Sequence, residues 1–159
     1  MAQSMSHPAR LNLGCCDNIL PGWINTDLVH VPGVDVTADL TKTWPWPDDT
    51  FDEIRAYDII EHFPSHIHTM NELWRVLKPG GVADIRVPTT DGRGAWQDPT
   101  HVSFWNRHSF WYYEVDRGEN KRFANHYGIK ARFKAGYQRT RGTPVIGIVM
   151  LHIKLTAVK

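Results

Sequence analysis

The stretch FDEIRAYDIIEHFPSHIHTMNELWRVLKPGGVADIRVP, residues 51–88, contains the pattern that decides the fold. Residues 51–57 read as a strand, and residues 65–77 place apolar side chains at helical spacing. The Lys-Pro-Gly-Gly turn at 78–81 should end the helix, because proline cannot continue it and glycine accepts a left-handed cap. Residues 82–87 then predict a second strand. A strand, a helix and a strand in this order indicate parallel neighbours in one sheet.

The flanking regions extend this sheet on both sides. Three strands are predicted before the unit, and a short helix and two closing strands after it: residues 11–13, 23–28, 34–40, 106–114, 129–137 and 145–155. Alternating strands and helices followed by a terminal hairpin predict an α/β fold. We expect a mostly parallel seven-stranded sheet with an antiparallel C-terminal hairpin, formed by a single domain over residues 1–159.

Composition limits the function classes. The 159 residues include 18 Lys and Arg against 17 Asp and Glu, so the whole molecule has no strong field to attract polyanions or membranes. The first ten residues lack the apolar run of a signal peptide, and no stretch approaches the roughly 20 apolar residues that span a bilayer. The adjacent Cys15 and Cys16 are expected to be free thiols. We therefore expect a cytoplasmic protein without a membrane partner.

Glycine and acidic residues follow the predicted strands. Gly14, Asp27, Asp39 and Asp58 each come just after a strand, and ligands of such sheets bind outside the carboxyl ends of the strands. Glycine lets a ligand approach the backbone, and an acid after the second strand can hold the hydroxyls of a ribose. Asp39 could accept from an exocyclic amine while Leu40 packs on an adenine. Each acid taken alone is more often a helix cap or a turn residue.

Six motifs extend this pattern along nearly the whole chain. They are Leu-Asn-Leu-Gly-Cys at 11–15, Gly-Trp-Ile-Asn-Thr-Asp at 22–27, Ala-Asp-Leu at 38–40, Trp-Pro-Asp-Asp-Thr-Phe-Asp at 46–52, Ile-Glu-His at 60–62 and Glu-Leu-Trp-Arg-Val-Leu-Lys-Pro-Gly-Gly at 72–81. With these motifs the chain resembles the class I S-adenosylmethionine-dependent methyltransferases, particularly their small bacterial and phage members. The resemblance implies a Rossmann-like three-layer sandwich, S-adenosylmethionine as cofactor and S-adenosylhomocysteine as product.

The resemblance also implies which residues form the cofactor site. They are Gly14, Cys16, Asp27, Leu28, Asp39, Leu40 and Tyr57. Asp27 would hold the ribose, and Asp39 and Leu40 would frame the adenine. Tyr57 and Asp58 would line the methionine end and face the reacting methyl group.

The chain departs from the family pattern in two ways. Many relatives have glycine at the position of Cys16, whose side chain narrows the cofactor loop. Relatives often carry an N-terminal helical lid, whereas ten residues precede the first predicted strand here. We therefore expect an open acceptor site, built from the loops after the fourth and fifth strands or completed by a second subunit of a homo-oligomer.

Methyl transfer is an in-line displacement that mainly requires alignment, and a general base helps when the acceptor is a hydroxyl. His101 is the first candidate for this base and Asp58 the second. The alternative is that the Asp-x-x-His-x-x-x-Phe pattern containing His101 orders its loop. The candidate substrate-binding residues are His62, Trp96, Asp98 and Tyr112.

The sequence allows two other hypotheses, a metal site and a nucleic-acid-binding segment. A metal site of His62, Asp98 and His101 is conceivable among nine histidines, but the spacing is not that of a tight ligand set, and we predict no metal. The segment from Arg117 to Arg141 contains eight Lys and Arg residues and one acid, Glu119. Such a basic segment could bind along the phosphate backbone of a nucleic acid.

The sequence therefore predicts a methyltransferase acting on a small molecule or a sugar. The alternatives are a nucleic-acid or protein methyltransferase that uses the basic C-terminal segment, and an S-adenosylmethionine-binding protein without catalysis or with a different reaction. The fold alone does not choose among them.

Overall fold

The computed structural model describes residues 8–117, 122–143 and 147–159. Seven strands form one sheet: β1 (Arg10–Leu13), β2 (Ile24–Asp27), β3 (Val36–Thr37), β4 (Phe51–Tyr57), β5 (Leu77–Pro88), β6 (Phe133–Thr143) and β7 (Ile148–Ala157). The helices are α1 (His66–Val76) and the short α2 (Gly94–Gln97), and two segments, Ile60–His62 and Arg107–Tyr113, are 3₁₀ helices.

The strand order is β3-β2-β1-β4-β5-β7-β6. The five strands from β1 to β5 pair in parallel, and β7 lies antiparallel between β5 and β6. The predicted α/β class, the mostly parallel seven-stranded sheet and its antiparallel C-terminal hairpin are therefore confirmed.

The central helix begins as its sequence indicates but ends differently. Ser65 caps α1 by accepting from the His68 amide at 3.2 Å. The helix ends at Val76, and Leu77 is already extended and pairs with Phe51 in the sheet. Lys-Pro-Gly-Gly thus lies inside β5 instead of forming the predicted helix cap. The helix gives way to the strand at Leu77 because the side chain of this residue is fully buried in the core, where its backbone pairs with Phe51.

Two other strands differ in length or position from the prediction. Only two residues of the predicted strand at 34–40 form β3. The strand predicted at 129–137 begins at Phe133, because the amides of Lys130 and Ala131 donate to the Asn71 side chain, at 2.8 and 3.0 Å, instead of to a neighbouring strand. The last strand runs to Ala157, and positions 145 and 146 of its predicted range lie outside the described residues.

The apolar core lies on one face of the sheet. Leu11, Ile54 and Ile85 are fully buried there with Met70 and Leu73 of α1. Side chains alternate along strands, so their neighbours face the opposite side. That second face carries polar and charged side chains: Asn12, Arg55, Tyr57, Asp84, Arg86 and His152.

The first three crossover connections contain no helix. The links between β1 and β2, β2 and β3, and β3 and β4 all lie within the described range 8–117. The carboxyl ends of these strands lie at one edge of the sheet because the strands pair in parallel. In the described part of the chain, no helix is long and apolar enough to cross a membrane.

Candidate active site

A cleft of about 150 Å³ opens at the carboxyl ends of β1, β2 and β3. Its lining includes five predicted cofactor residues: Gly14, Asp27, Leu28, Asp39 and Leu40. His62, predicted to contact the substrate, lines the same cleft. The lining is completed by four residues that were not predicted to belong to the site: Ala38, Thr41, Ile59 and Phe63. These four are small, apolar or hydroxyl side chains with no chemical signature, and only the folded chain reveals their position.

Gly14 forms the part of the cleft where backbone geometry is most restrictive. Its φ is +58°, in the left-handed region that favours glycine. A Cβ atom at this position would lie 2.5 Å from Cδ1 of Ile59. Glycine is therefore required here by the packing of Ile59 as well as by the backbone conformation.

Asp27 organises the loops around the cleft with its carboxylate. One oxygen accepts from the Cys16 amide at 2.9 Å, and the other accepts from the Val29 amide at 3.2 Å. Each carboxylate oxygen retains a further lone pair. Cys16 itself is exposed, has a φ of +45° and does not line the cleft, so its backbone takes part in this arrangement.

Asp39 and Leu40 occupy a tight turn after β3. Asp39 accepts from the Thr41 amide at 3.0 Å and from the Thr41 hydroxyl at 2.6 Å. These hydrogen bonds with Thr41 hold the pKa of the Asp39 carboxyl below its usual value. Leu40 is buried, whereas Leu28 is 66% exposed and presents an apolar surface at the rim. The cleft thus combines two acids with apolar walls.

Tyr57 and Asp58 lie outside this cleft. The Tyr57 ring is on the polar face of the sheet between the guanidinium groups of Arg55 and Arg86, 4.0 and 4.8 Å from its centroid. Asp58 has a φ of +54° and forms an ion pair with Arg86. The Asp58 carboxylate is thus paired with Arg86 and does not line the cleft.

The loop containing His101 is held against the chain that follows β4. The amides of Val102 and Ser103 both donate to the carbonyl of Glu61, at 2.9 and 3.0 Å. Asp98 accepts from the amide and the hydroxyl of Thr100, and these bonds lower the pKa of its carboxyl. The loop is thus ordered by several contacts that do not involve the His101 ring.

The structure brings Glu61, His62 and His101 together beside the cleft. The two imidazole rings have centroids 5.0 Å apart at an angle of 74°. Glu61 is buried, and among the described residues its Oε2 atom has no hydrogen-bond partner. Burial raises the pKa of the Glu61 carboxyl to about 8, with a further contribution from the charge of Asp58. In the group of three ligating side chains, Glu61 therefore stands where the sequence-based hypothesis places Asp98 beside His62 and His101.

The remaining predicted contact residues lie elsewhere. Trp96 is 58% exposed and stacks on Phe104 with ring centroids 4.3 Å apart. Tyr112 lines a separate cleft of about 320 Å³ together with Ile129. Tyr112 therefore does not lie at the cleft formed by Gly14, Asp27 and Asp39.

Part of the basic C-terminal segment borders a third cleft, of about 440 Å³, on the polar face of the sheet. Arg86, Arg139 and Arg141 line it together with Tyr57 and Tyr137. No carboxylate of the described residues lies within ion-pair distance of Arg139 or Arg141. Two members of the predicted segment, Glu119 and Lys121, lie outside the described residues.

Sequence comparison relates this chain to methyltransferases. Residues 19–84 match the family described as methyltransferase domain. A stretch of 71 residues is 39% identical to Methyltransferase GfsG of Streptomyces halstedii and covers 40% of this chain and 26% of that protein. A stretch of 77 residues is 32% identical to 2-methyl-6-phytyl-1,4-hydroquinone methyltransferase 1, chloroplastic, of Oryza sativa subsp. japonica, and covers 48% and 20%. The matched regions span at most about a quarter of these relatives.

Solved structures share the fold at low sequence identity. The 1,6-didemethyltoxoflavin-N1-methyltransferase of Burkholderia thailandensis superposes with a TM-score of 0.64 at 14% identity, over 96% of this chain and 72% of that chain. The [4+2]-cyclase SpnF superposes with a TM-score of 0.65 at 14% identity, over 95% and 74%. Residues 19–84 thus match the methyltransferase domain family, and the chain has the Rossmann-like fold of the class I S-adenosylmethionine-dependent methyltransferases that its motifs resemble.

Proposed function

We propose that the chain binds S-adenosylmethionine in the 150 Å³ cleft and transfers its methyl group to a small-molecule or sugar acceptor. The observation that carries this proposal is the meeting of Gly14, Asp27 and Asp39 from three successive strand ends in one cleft. The match of residues 19–84 to the methyltransferase domain family supports it. The name of one sequence relative specifies a hydroquinone, which favours a small acceptor.

The cleft fits the chemical groups of this cofactor. Asp27 offers the free lone pairs of its carboxylate to the two ribose hydroxyls, and Asp39 offers an acceptor to the exocyclic amine of adenine. Leu28 and Leu40 supply apolar surface for the base. When bound, the cofactor supplies a methyl group on a sulfonium centre. The role of the protein is to hold this methyl group in line with the acceptor atom.

The Glu61, His62 and His101 cluster is the place where an acceptor hydroxyl would lose its proton. His62 lines the cleft, so the cluster borders the bound cofactor. The Nδ1 atom of His101 lies 3.1 Å from the Ala95 carbonyl and donates to it, which leaves Nε2 with a free lone pair. His101 therefore keeps its place as the first candidate for the base, and the ion-paired Asp58 ranks below it.

Thermal shift measurements with S-adenosylmethionine and S-adenosylhomocysteine test cofactor binding. We expect comparable shifts, because the two compounds share adenine, ribose and amino-acid groups. A ligand at a hundredfold excess over its Kd stabilises the folded state by about 2.7 kcal/mol. A shift with NAD and none with either compound would reject the proposal.

Transfer itself is tested with methyl-labelled cofactor and separated cell fractions. Label in the metabolite fraction is the expected result, whereas label in no fraction would indicate binding without methyl transfer. The cyclase among the structural neighbours is a protein of this fold whose name describes another reaction, which makes this measurement necessary.

A nucleic-acid acceptor is the second candidate, and the 440 Å³ cleft favours it. Three arginines converge there beside the exposed ring of Tyr137, and single strands bind through such combinations of cations and aromatic rings. Label in the nucleic-acid fraction, lost when Arg139 and Arg141 are both replaced by Ser, would establish this alternative. The cytoplasmic location and a homo-oligomeric state stay predictions.

A further inference from the structure

Three side chains with metal-ligating atoms meet beside the cofactor cleft. One ligand atom each from Glu61, His62 and His101 lies within 4.8 Å of the other two. Imidazole nitrogen and carboxylate oxygen are donors that first-row divalent transition metals take from proteins. Over the ranges 8–117, 122–143 and 147–159, this is the one group of three such residues that meets so closely.

The hydrogen bonds of both histidines leave the same nitrogen free. Nδ1 of His62 lies 3.2 Å from both the carbonyl and the hydroxyl oxygen of Thr100, and that hydroxyl donates its own proton to Asp98. Nδ1 of His101 lies 3.1 Å from the Ala95 carbonyl. A carbonyl oxygen only accepts hydrogen bonds, so each Nδ1 carries the proton and each Nε2 retains its lone pair. Metal-binding histidines are oriented in this way by their outer hydrogen bonds.

Glu61 adds a buried carboxylate oxygen that needs a partner. The residue is 2% exposed, and Oε2 makes no hydrogen bond to any described residue. A buried polar atom without a partner is costly, and a bound cation would remove that cost. The backbone of Glu61 is fixed by the amides of Val102 and Ser103, so the carboxylate is presented by an ordered segment.

The arrangement leaves room for a further ligand. Asp98 has one carboxylate oxygen 3.9 Å from Nε2 of His101, but its other oxygen is bound to Thr100. Ligand atoms of a tetrahedral zinc site with bonds of about 2.1 Å are about 3.4 Å apart, so binding requires a small contraction of the three side chains. Zinc sites with three protein ligands keep a position for water or substrate.

We propose that Glu61, His62 and His101 bind one divalent first-row transition metal ion, with Zn²⁺ and Co²⁺ as probes, and that its open position holds the acceptor oxygen. Metal binding requires only this chain, whereas the acceptor's place rests on the proposed function. With the cation bound, Nε2 of His101 is a metal ligand and no longer the base, and the cation promotes release of the hydroxyl proton to water. The oxygen then forms a bond to the methyl carbon as the sulfur–carbon bond breaks and the sulfonium becomes a thioether.

Titration of the chelator-treated full chain tests the site directly. We expect one equivalent of Zn²⁺ to bind in isothermal calorimetry, and Co²⁺ to produce visible absorption bands that Zn²⁺ abolishes. Mg²⁺ at the same concentration should not compete, because two of the three ligands are nitrogen atoms. Less than half an equivalent of either probe metal bound would overturn the proposal.

Variants assign the binding to these residues. His101→Ala and Glu61→Gln should each weaken Zn²⁺ binding more than tenfold, and Glu61→Gln preserves the shape of the buried side chain in case the alanine variant unfolds. His108→Ala is the matched control, because His108 is an exposed histidine that contacts Trp111 outside the cluster. Unchanged binding in folded Glu61→Gln, or an equal loss in His108→Ala, would contradict the assignment.

Binding of S-adenosylhomocysteine to the same samples separates this proposal from the proposed function. Metal binding without S-adenosylhomocysteine binding would support the site and reject the function. S-adenosylhomocysteine binding without metal binding would support the function and overturn the site.

Discussion

Replacement of Asp27 provides the most direct test of the cofactor cleft. Its carboxylate lines the cleft while accepting hydrogen bonds from the amides of Cys16 and Val29. A hydrogen bond to a charged group makes a net contribution of roughly 1.5 to 3 kcal/mol. We therefore expect Asp27→Ala to weaken S-adenosylhomocysteine binding by about 2 kcal/mol, or about 30-fold in Kd.

Asp27→Asn should show a smaller loss, because the amide oxygen keeps one acceptor but has no charge. We expect about 1 kcal/mol, or about 5-fold in Kd. Isothermal calorimetry measures the Kd of S-adenosylhomocysteine for both variants. The melting temperature without ligand reports how far each variant destabilises the loops that Asp27 holds. Asp35→Asn is the matched control, because Asp35 also accepts from backbone, at 2.7 Å from the Asn25 amide, but does not line the cleft.

The control should lower the melting temperature and leave the Kd of the folded protein unchanged. If folded Asp27→Ala binds S-adenosylhomocysteine as tightly as the wild type, the ribose is held elsewhere and the assignment of this cleft is wrong. An equal loss of affinity in Asp35→Asn would show that loop order, and not direct contact, determines the affinity.

Two further predictions concern the framework around the cleft. Gly14→Ala should lower the free energy of unfolding by about 3 kcal/mol, because a left-handed φ is combined there with overlap of the new Cβ on Ile59. Gly22 also has a left-handed φ, of +78°, but no neighbour within 4 Å, so Gly22→Ala should lower it by only about 1 kcal/mol. Equal losses for the two variants in urea unfolding would contradict the packing argument. Burial opposes ionisation of Glu72, but its hydrogen bonds with Arg75 outweigh burial and hold the pKa of this carboxyl below its usual value. This contribution is complete above the unfolded pKa of about 4.3 and disappears as the pH falls through the folded pKa. Glu72→Gln should therefore be about 2 kcal/mol less stable than wild type at pH 7, and the difference should shrink as the solution is acidified below the unfolded pKa. A pH-independent difference in thermal melting would show that the pairing is not responsible.

The strand pattern was predictable because it depends on local properties. Residues 51–57 coincide with β4, and the helix predicted at 65–77 differs from α1 by one residue at each end. Apolar periodicity and the Ser65 cap act over one or two turns of chain. The start of β6 was not predictable, since it depends on Asn71, about 60 residues away in sequence, binding the amides that precede the strand.

The residues of the candidate site likewise divide into those predictable from local sequence and those that depend on distant contacts. Asp27 and Asp39 were identified because an acid after a strand of a parallel sheet must lie at the carboxyl edge. The position of Tyr57 was not, because its side-chain direction depends on strand alternation and on Arg55 and Arg86, which enclose its ring. Its role in cofactor binding stays a prediction, and the structure places it in the cleft on the polar face.

The sequence by itself determined the α/β class, the order of strands and helices and the acids at the strand ends, because each of these follows from side-chain periodicity and from turn residues close in the chain. Only the tertiary structure decided that Glu61, His62 and His101 share one site. Their meeting depends on amides of Val102 and Ser103 that bind the Glu61 carbonyl across about 40 residues of chain. Such long-range hydrogen bonds have no local pattern, so the distance between Glu61 and His101 becomes visible only when the chain is folded.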